Sequence, residues 1–191
     1  MANSKLIVIE GAQGVGKTTV TDYIRHSLSY TNLYRLCGTS DTTKSGLTKA
    51  TNMYNSLITY IKSLENCSIN LLFDRTFFTE EVYCRLGKKD YSFSDVFYNL
   101  LDEFAKLDFD IYYITLYLED TNLFNTRLKR KDKALFKNSS FDINNSIKQQ
   151  NEYLKLASEI KNKYPNINVY NVKTDENIDE IKKQIKNILN Y

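Results

Sequence analysis

The sequence contains no tryptophan, one proline, six glycines, three cysteines and one histidine among its 191 residues. The cysteines, Cys37, Cys67 and Cys84, are odd in number and form no CxxC pair, which argues against a disulfide framework and a zinc site. The longest apolar runs, around 6–9 and 111–118, are far shorter than a membrane span, and the opening MANSKLIVIE lacks the pattern of a signal peptide. We therefore expect a cytoplasmic protein with no membrane partner.

Neither sign of charge is in large excess. Lysine and arginine number 26 against 23 acidic residues, a net charge of +3, which gives no reason to expect a surface that binds nucleic acid as a whole. One stretch, 127–137, is densely basic (RLKRKDKALFK), but only Phe136 accompanies its charges, so base stacking has little support. We expect no nucleic-acid partner.

Short apolar runs alternate with longer helical patterns along the whole chain, and this alternation is typical of βαβ units with a parallel sheet. The length suits one domain, 1–191, and no low-complexity linker divides it. The spacing of apolar residues predicts helices over 47–64, 93–104 and 142–163 and another from 177. Nearly continuous apolar runs predict strands over 5–9, 69–73, 111–118 and 167–172, as expected where helices cover both faces of a sheet, and a weaker run predicts a fifth strand over 33–36.

The segment GAQGVGKT, residues 11–18, matches the phosphate-binding pattern GxxxxGK[ST], directly after an apolar strand and directly before a helical pattern. Glycines let successive backbone N–H groups turn toward a phosphate, and the following helix directs its positive end at it. Lys17 would reach the β and γ phosphates, and the Thr18 hydroxyl would hold Mg²⁺. The predicted ATP-binding residues are Gly11, Ala12, Gln13, Gly14, Val15, Gly16, Lys17, Thr18 and Thr19.

An acid and an arginine, Asp74 and Arg75, directly follow the predicted third strand, at the sheet edge where ligands of open α/β sheets bind. Asp74 could carry Mg²⁺ and Arg75 could hold an anionic group of a second substrate. On spacing alone, the alternative is that Asp74 caps the next helix while Arg75 pairs on the surface.

The two stretches IEGAQGVGKTT and FDRTFFTEEVY together resemble the thymidylate kinase and deoxynucleoside kinase group of P-loop kinases. Thr79 and Tyr83 fall on the hydroxyl and tyrosine positions of the thymidylate kinase pattern, whereas Thr76 and Cys84 depart from it. The resemblance implies a three-layer α/β fold with a five-stranded parallel sheet in the order 2-3-1-4-5. It also implies ATP as donor, Mg²⁺ as cofactor, Thr79 and Tyr83 as acceptor-binding residues, and a possible homodimer.

The resemblance extends to RLKR, where Arg127 and Arg130 match the opening of the lid in these kinases, so a helical basic lid is expected at about 127–141. A basic lid supplies positive charge around a migrating phosphoryl group and excludes water on closing. We therefore predict that Arg127 and Arg130 contact the transferring phosphate. A solvated, charged helix end is the simpler alternative.

The acceptor can be a nucleotide or a nucleoside, and the two make different demands. A nucleoside hydroxyl needs a general base, which deoxynucleoside kinases carry as a glutamate shortly after the second strand. No glutamate lies between Arg35 and Glu65, and Asp41 is the only acid near that strand. Arg35 and Arg75 would instead hold an acceptor phosphate, which favours a deoxynucleoside monophosphate. A deoxynucleoside kinase with Asp41 as base, and a P-loop module that binds nucleotides without turnover, are the alternatives.

Overall fold

The computed structural model describes residues 4–128, 143–175 and 177–191. In chain order its elements are β1 (Lys5–Gly11), α1 (Lys17–Ser27), β2 (Thr31–Arg35), α2 (Gly46–Ser63), β3 (Asn70–Asp74), α3 (Phe77–Arg85), α4 (Ser94–Phe104), β4 (Asp110–Tyr117), α5 (Leu123–Leu128), α6 (Ile143–Lys163), β5 (Asn168–Lys173) and α7 (Ile178–Leu189). None of the helices in these ranges combines the length and hydropathy needed to cross a bilayer.

The five strands form one parallel sheet in the order β2-β3-β1-β4-β5, which confirms the predicted topology. Each predicted strand lies within two residues of an observed one at both ends. The register pairs Asp74 with Ile9 of β1 on one side and with Arg35 of β2 on the other. The carboxyl ends of the three strands therefore meet at one edge of the sheet.

Helices cover both faces of this sheet, and β1 shows why its sequence is apolar without alternation. Leu6 and Val8 pack into the core beneath α2, α3, α4 and α6, whereas Ile7 and Ile9 pack into the core formed with α1, α5 and α7. All four side chains are fully buried. A strand buried on both faces has no polar side, as expected for a parallel sheet between helical layers.

Helix α3 was not predicted, because it has no polar face to give a helical period. Its residues 77–82 are all buried, including Glu80 and Glu81. Phe77 and Phe78 stack on each other with ring centroids 4.3 Å apart, and α4 and α6 pack around them. Because α3 begins two residues after Arg75, the burial of α3 fixes the position of Asp74 and Arg75 at the edge of the sheet.

Candidate functional site

The glycine loop lies between β1 and α1, as predicted. Gly11 has φ 141°, and a Cβ there would lie 2.5 Å from the Leu116 carbonyl oxygen, so only glycine fits against β4. Gly16, with φ 95°, occupies the position before α1. Lys17 is the first residue of that helix and is 7% exposed. Its Nζ donates to the carbonyls of Gly11 at 2.7 Å and Ala12 at 2.8 Å, so the ammonium is held over the loop.

A cavity of about 700 Å³ opens over this loop and extends to the carboxyl ends of β2 and β3. It brings together residues that are far apart in the sequence, and most of its charged side chains are basic. Besides the loop residues 13–19, its lining includes Arg35, Cys37, Asp74, Arg75, Arg127 and Thr174. A cavity that joins a glycine loop to several arginines suits a ligand that carries phosphate groups.

Arg35 and Asp74 lie side by side at one end of the cavity. The Arg35 Nε is 3.8 Å from the Asp74 Oδ2, as expected from their paired positions on β2 and β3. Arg35 also contacts Asp22 on α1 and is about half exposed. The sequence-based alternative for Asp74 is wrong, because Thr76, not Asp74, precedes α3 as its N-cap residue.

Arg75 is the next residue, and its backbone is unusual. Its φ is 73°, the left-handed region that residues with a Cβ seldom occupy, and its amide donates to the Ile9 carbonyl at 3.2 Å. Burial lowers the pKa of its guanidinium, but nearby acidic and tyrosine side chains more than offset burial and raise that pKa. Arg75 therefore stays charged at the base of the cavity.

A buried hydrogen-bond network lies behind Arg75. Glu10, fully buried, accepts from the Thr76 amide at 2.8 Å and from the Thr79 hydroxyl at 2.7 Å. The Thr79 hydroxyl also lies 2.8 Å from the Tyr153 hydroxyl. The predicted acceptor-binding hydroxyl is thus a buried link between β1, α3 and α6. Tyr83 is partly exposed, with the Lys88 Nζ 5.0 Å from its ring centroid.

At the other end of the cavity, Arg127 lies over the glycine loop. A Cβ at Gly16 would be 3.9 Å from the Arg127 Nη1, and the guanidinium donates to the carbonyl of Thr174. Thr174 is 2% exposed, and its hydroxyl donates to the Val15 carbonyl at 2.7 Å. Sequence reasoning missed Thr174, since no motif marks it. Only its place just after β5, a strand of the parallel sheet, could have pointed to this edge of the sheet.

The predicted lid extends beyond Arg127. Arg130 and most of the segment 127–141 lie outside the described residues. Arg127 lies in the last turn of α5, and both Arg127 and the buried Phe124 of the same helix lie beside the loop glycines. Arg127 thus lies beside the glycine loop, and its contact with a transferring phosphate stays a prediction.

Asp41, the acid that could act as a general base, is engaged in hydrogen bonds within its own loop and with α2. Asp41 accepts from Thr43 and Ser45 at 2.7 Å and from Lys49 at 2.6 Å. These hydrogen bonds, led by that from Lys49, hold the pKa of Asp41 well below its usual range, which makes it a weak base. Tyr54 and Phe77, two aromatic residues near this loop and Arg75 in the sequence, are fully buried and pack against each other, with ring centroids 6.1 Å apart.

Thr18 and Asp74 both line the cavity and offer hydroxyl and carboxylate oxygens, the hard donors that Mg²⁺ prefers. Within the described ranges, no group of three or more histidine, cysteine, aspartate or glutamate side chains is placed to hold a metal ion. A Mg²⁺ that takes its remaining ligands from phosphates and water needs only one or two protein oxygens. This donor set fits such an ion.

Comparison with known proteins identifies the fold. The chain matches no protein-family model, and no curated protein matches it significantly. Thymidylate kinase from Candida albicans superposes with a TM-score of 0.71 at 18% identity, over 100% of this chain and 92% of that one. The YorR protein from Bacillus subtilis, in complex with phosphorylated GDP, gives 0.67 at 22% identity, over 97% and 95%.

Deoxyadenosine kinase from M. mycoides with bound dCTP gives a TM-score of 0.60 at 20% identity, over 97% of this chain and 98% of that one. The chain therefore has the three-layer fold of P-loop nucleotide kinases, as the resemblance of its two motifs implied. A thymidylate kinase and a deoxyadenosine kinase share this fold, so the fold alone does not distinguish a nucleotide acceptor from a nucleoside acceptor.

Proposed function

We propose that this protein transfers the γ-phosphate of ATP to a deoxynucleoside monophosphate, with Mg²⁺ as cofactor, in the manner of a thymidylate kinase. One observation carries the proposal: Lys17, Arg35, Arg75 and Arg127 line a single cavity with Asp74. Phosphoryl transfer needs little covalent chemistry from the protein and depends on positioning and on positive charge around the reacting phosphates.

The donor occupies the glycine loop. Backbone N–H groups of residues 11–19 and the start of α1 bind its phosphates, and Lys17 exchanges its loop carbonyls for β and γ oxygens. Arg127, which lies over Gly16, contacts the transferring group together with Arg130. A Mg²⁺ held by Thr18 and Asp74 would neutralise charge on the β and γ oxygens.

The acceptor phosphate lies at the β2 and β3 end of the cavity, where Arg35 and Arg75 hold it. Forked guanidinium groups match phosphate oxygens in geometry as well as charge. Thr79 and Tyr83 remain proposed acceptor-side residues. Thr79 would act through Glu10 and the segment that carries Arg75, since its hydroxyl is already bonded there.

The lowered pKa of Asp41 favours a monophosphate acceptor over a nucleoside. A monophosphate is already ionised and needs no base, whereas the 5′-hydroxyl of a nucleoside does. A deoxynucleoside kinase remains the second candidate, supported by the fold shared with the deoxyadenosine kinase. A protein that binds nucleotides without turnover would share the same loop.

Product analysis tests the proposal. We expect the protein to convert a mixture of the four common deoxynucleoside monophosphates, with ATP and Mg²⁺, to at least one diphosphate. Lys17→Ala should lower the rate by roughly 10²–10³ or more, because a single preorganised cation at the developing charge contributes that much. Lys106→Ala, which removes an exposed lysine paired with Glu103, is the matched control. ATP binding without diphosphate formation would contradict the proposal and support a binding module.

A further inference from the structure

A buried ion pair lies next to the acceptor side of the cavity without lining it. The Lys89 Nζ is 3.0 Å from the Glu80 Oε1, and the two side chains are 4% and 2% exposed. Glu80 comes from α3, and Lys89 from the segment between α3 and α4. The Tyr91 hydroxyl donates to the same Glu80 oxygen. Neither Glu80 nor Lys89 belongs to the Asp74–Arg75 motif.

This pair is bonded to the loop 36–45, which follows Arg35. The Lys89 Nζ donates to the Thr39 carbonyl at 2.6 Å, and the Thr39 amide donates to the Glu80 Oε2 at 3.3 Å. Both polar backbone groups of one loop residue are therefore taken by the two members of the pair. The Asp90 amide adds a bond to the Thr42 carbonyl at 2.8 Å.

Close packing strengthens the same contact. Gly38 has φ 71°, and a Cβ there would lie 2.9 Å from the Glu80 Oε2. A Cβ at Gly46, where the loop joins α2, would lie 2.8 Å from the Tyr91 ring. The loop backbone thus fits closely against Glu80 at Gly38 and against Tyr91, which bonds to Glu80, at Gly46.

The loop has a direct connection to the proposed acceptor site, since Arg35, Leu36 and Cys37 line the cavity and Thr39 follows two residues later. Arg75 lies just before α3, the helix that carries Glu80. The pair therefore joins the two segments whose arginines would hold the acceptor phosphate. Breaking one side of a buried pair leaves an uncompensated charge, so the contact strongly favours one loop position.

Resting on the proposed function, we propose that Glu80 and Lys89 are positioning residues for the acceptor: the buried pair fixes the loop 36–45 so that Arg35 and Arg75 face one phosphate. Neither residue contacts substrate. Loss of the pair frees the loop, weakens acceptor binding and leaves the donor site over the glycine loop unchanged.

The test compares Glu80→Gln and Lys89→Met with Lys49→Met. The Glu80→Gln variant keeps the size of the side chain and an oxygen that can accept from Lys89, so it serves if Lys89→Met does not fold. Lys49→Met is the matched control. Lys49 of α2 pairs with Asp41 of the same loop, but its side chain is 63% exposed, so the loss of this pair should matter little. Hydrogen exchange of the loop amides and the Kd and KM for both substrates are measured in each protein.

We expect exchange in 36–45 to become roughly tenfold faster or more in the two test variants and to stay near the wild-type rate in Lys49→Met. The Kd and KM for the monophosphate should rise about tenfold, and those for ATP should change less than about twofold. Unchanged loop exchange, or equal losses for ATP and the monophosphate, would overturn the inference.

Failure of the proposed function is seen separately, as no turnover by the wild-type protein with any monophosphate. In that case the Kd for monophosphates, measured by calorimetry, replaces KM in the same comparison. A wild-type protein that binds no monophosphate overturns both proposals, while faster loop exchange with a selective loss of monophosphate binding supports the positioning role without turnover.

Discussion

The Glu10 Oε2 lies 2.7 Å from the Thr79 hydroxyl, and this contact joins the residue before the glycine loop to the helix after the Asp74–Arg75 pair. Glu10 is fully buried. Burial raises the pKa of its carboxyl from 4.5 to about 7, although hydrogen bonds from Thr79 and Thr76 and the charges of Lys17 and Arg75 lower it. The two motifs of the site are thus connected through a carboxyl group that titrates near neutral pH.

This raised pKa predicts a pH dependence of stability. Between about pH 4.5 and 7 the folded carboxyl keeps a proton that the unfolded one has lost, so the free energy of unfolding contributed by Glu10 falls as pH rises and is fully lost above pH 7. Glu10→Gln keeps a neutral side chain of the same size. We expect its stability relative to wild type to increase from pH 4.5 to 7.5.

Urea denaturation at several pH values checks this prediction. Glu103→Gln is the control, because Glu103 is exposed and its pKa is lowered by Lys106, not raised by burial. A difference in the free energy of unfolding between Glu10→Gln and wild type that stays constant from pH 4.5 to 7.5 would show that Glu10 is already ionised in the folded protein over this range.

We predict that Arg75 lowers the stability of the fold through its backbone conformation, while its guanidinium serves monophosphate binding. A residue with a Cβ at φ 73° is strained by about 1 kcal/mol, which glycine avoids. Arg75→Gly should therefore unfold with a free energy about 1 kcal/mol higher than Arg75→Ala. Both variants should lose monophosphate binding equally, because both lack the guanidinium. Denaturation and calorimetry measure the two effects, and an Arg75→Ala as stable as Arg75→Gly would mean that the strain is absent.

We predict that Thr174 affects the donor site through its contact with the glycine loop. Thr174→Val keeps the side-chain shape but removes the buried hydroxyl that donates to the Val15 carbonyl, so that hydrogen bond is lost in a buried position. We expect a loss of about 1–3 kcal/mol in the free energy of unfolding, and a larger rise in KM for ATP than for the acceptor. Thr59→Val removes an exposed hydroxyl bonded to Asn55 and should change stability by less than about 0.5 kcal/mol.

The sequence predicted the sheet and the glycine loop because both leave local signals. The three central strands β1, β3 and β4 are buried and continuously apolar, whereas the edge strands β2 and β5 are more exposed. The loop carries its glycines and Lys17 at fixed spacing. The strand order followed from resemblance, and the resemblance rested on the loop together with the neighbours Asp74 and Arg75. The fold of P-loop nucleotide kinases could therefore be predicted from the sequence.

Contacts between distant segments left no such signal. No sequence pattern indicates that Glu80 and Lys89 pair with each other, yet they are buried against the loop 36–45. Helix α3 lacks a helical period because its first six residues are all buried. Thr174 reaches the glycine loop only through the pairing of β4 with β5. The catalytic and binding roles of all the predicted site residues remain predictions.

The most direct test of the central claim is a side-by-side measurement of ADP release from ATP and Mg²⁺ with each of the four common deoxynucleosides and each of their 5′-monophosphates. Arg127→Ala serves as the variant expected to lose turnover with every acceptor. We predict turnover with one or more monophosphates and none above background with nucleosides. Turnover with nucleosides alone would contradict the claim and would require a general base other than the hydrogen-bonded Asp41.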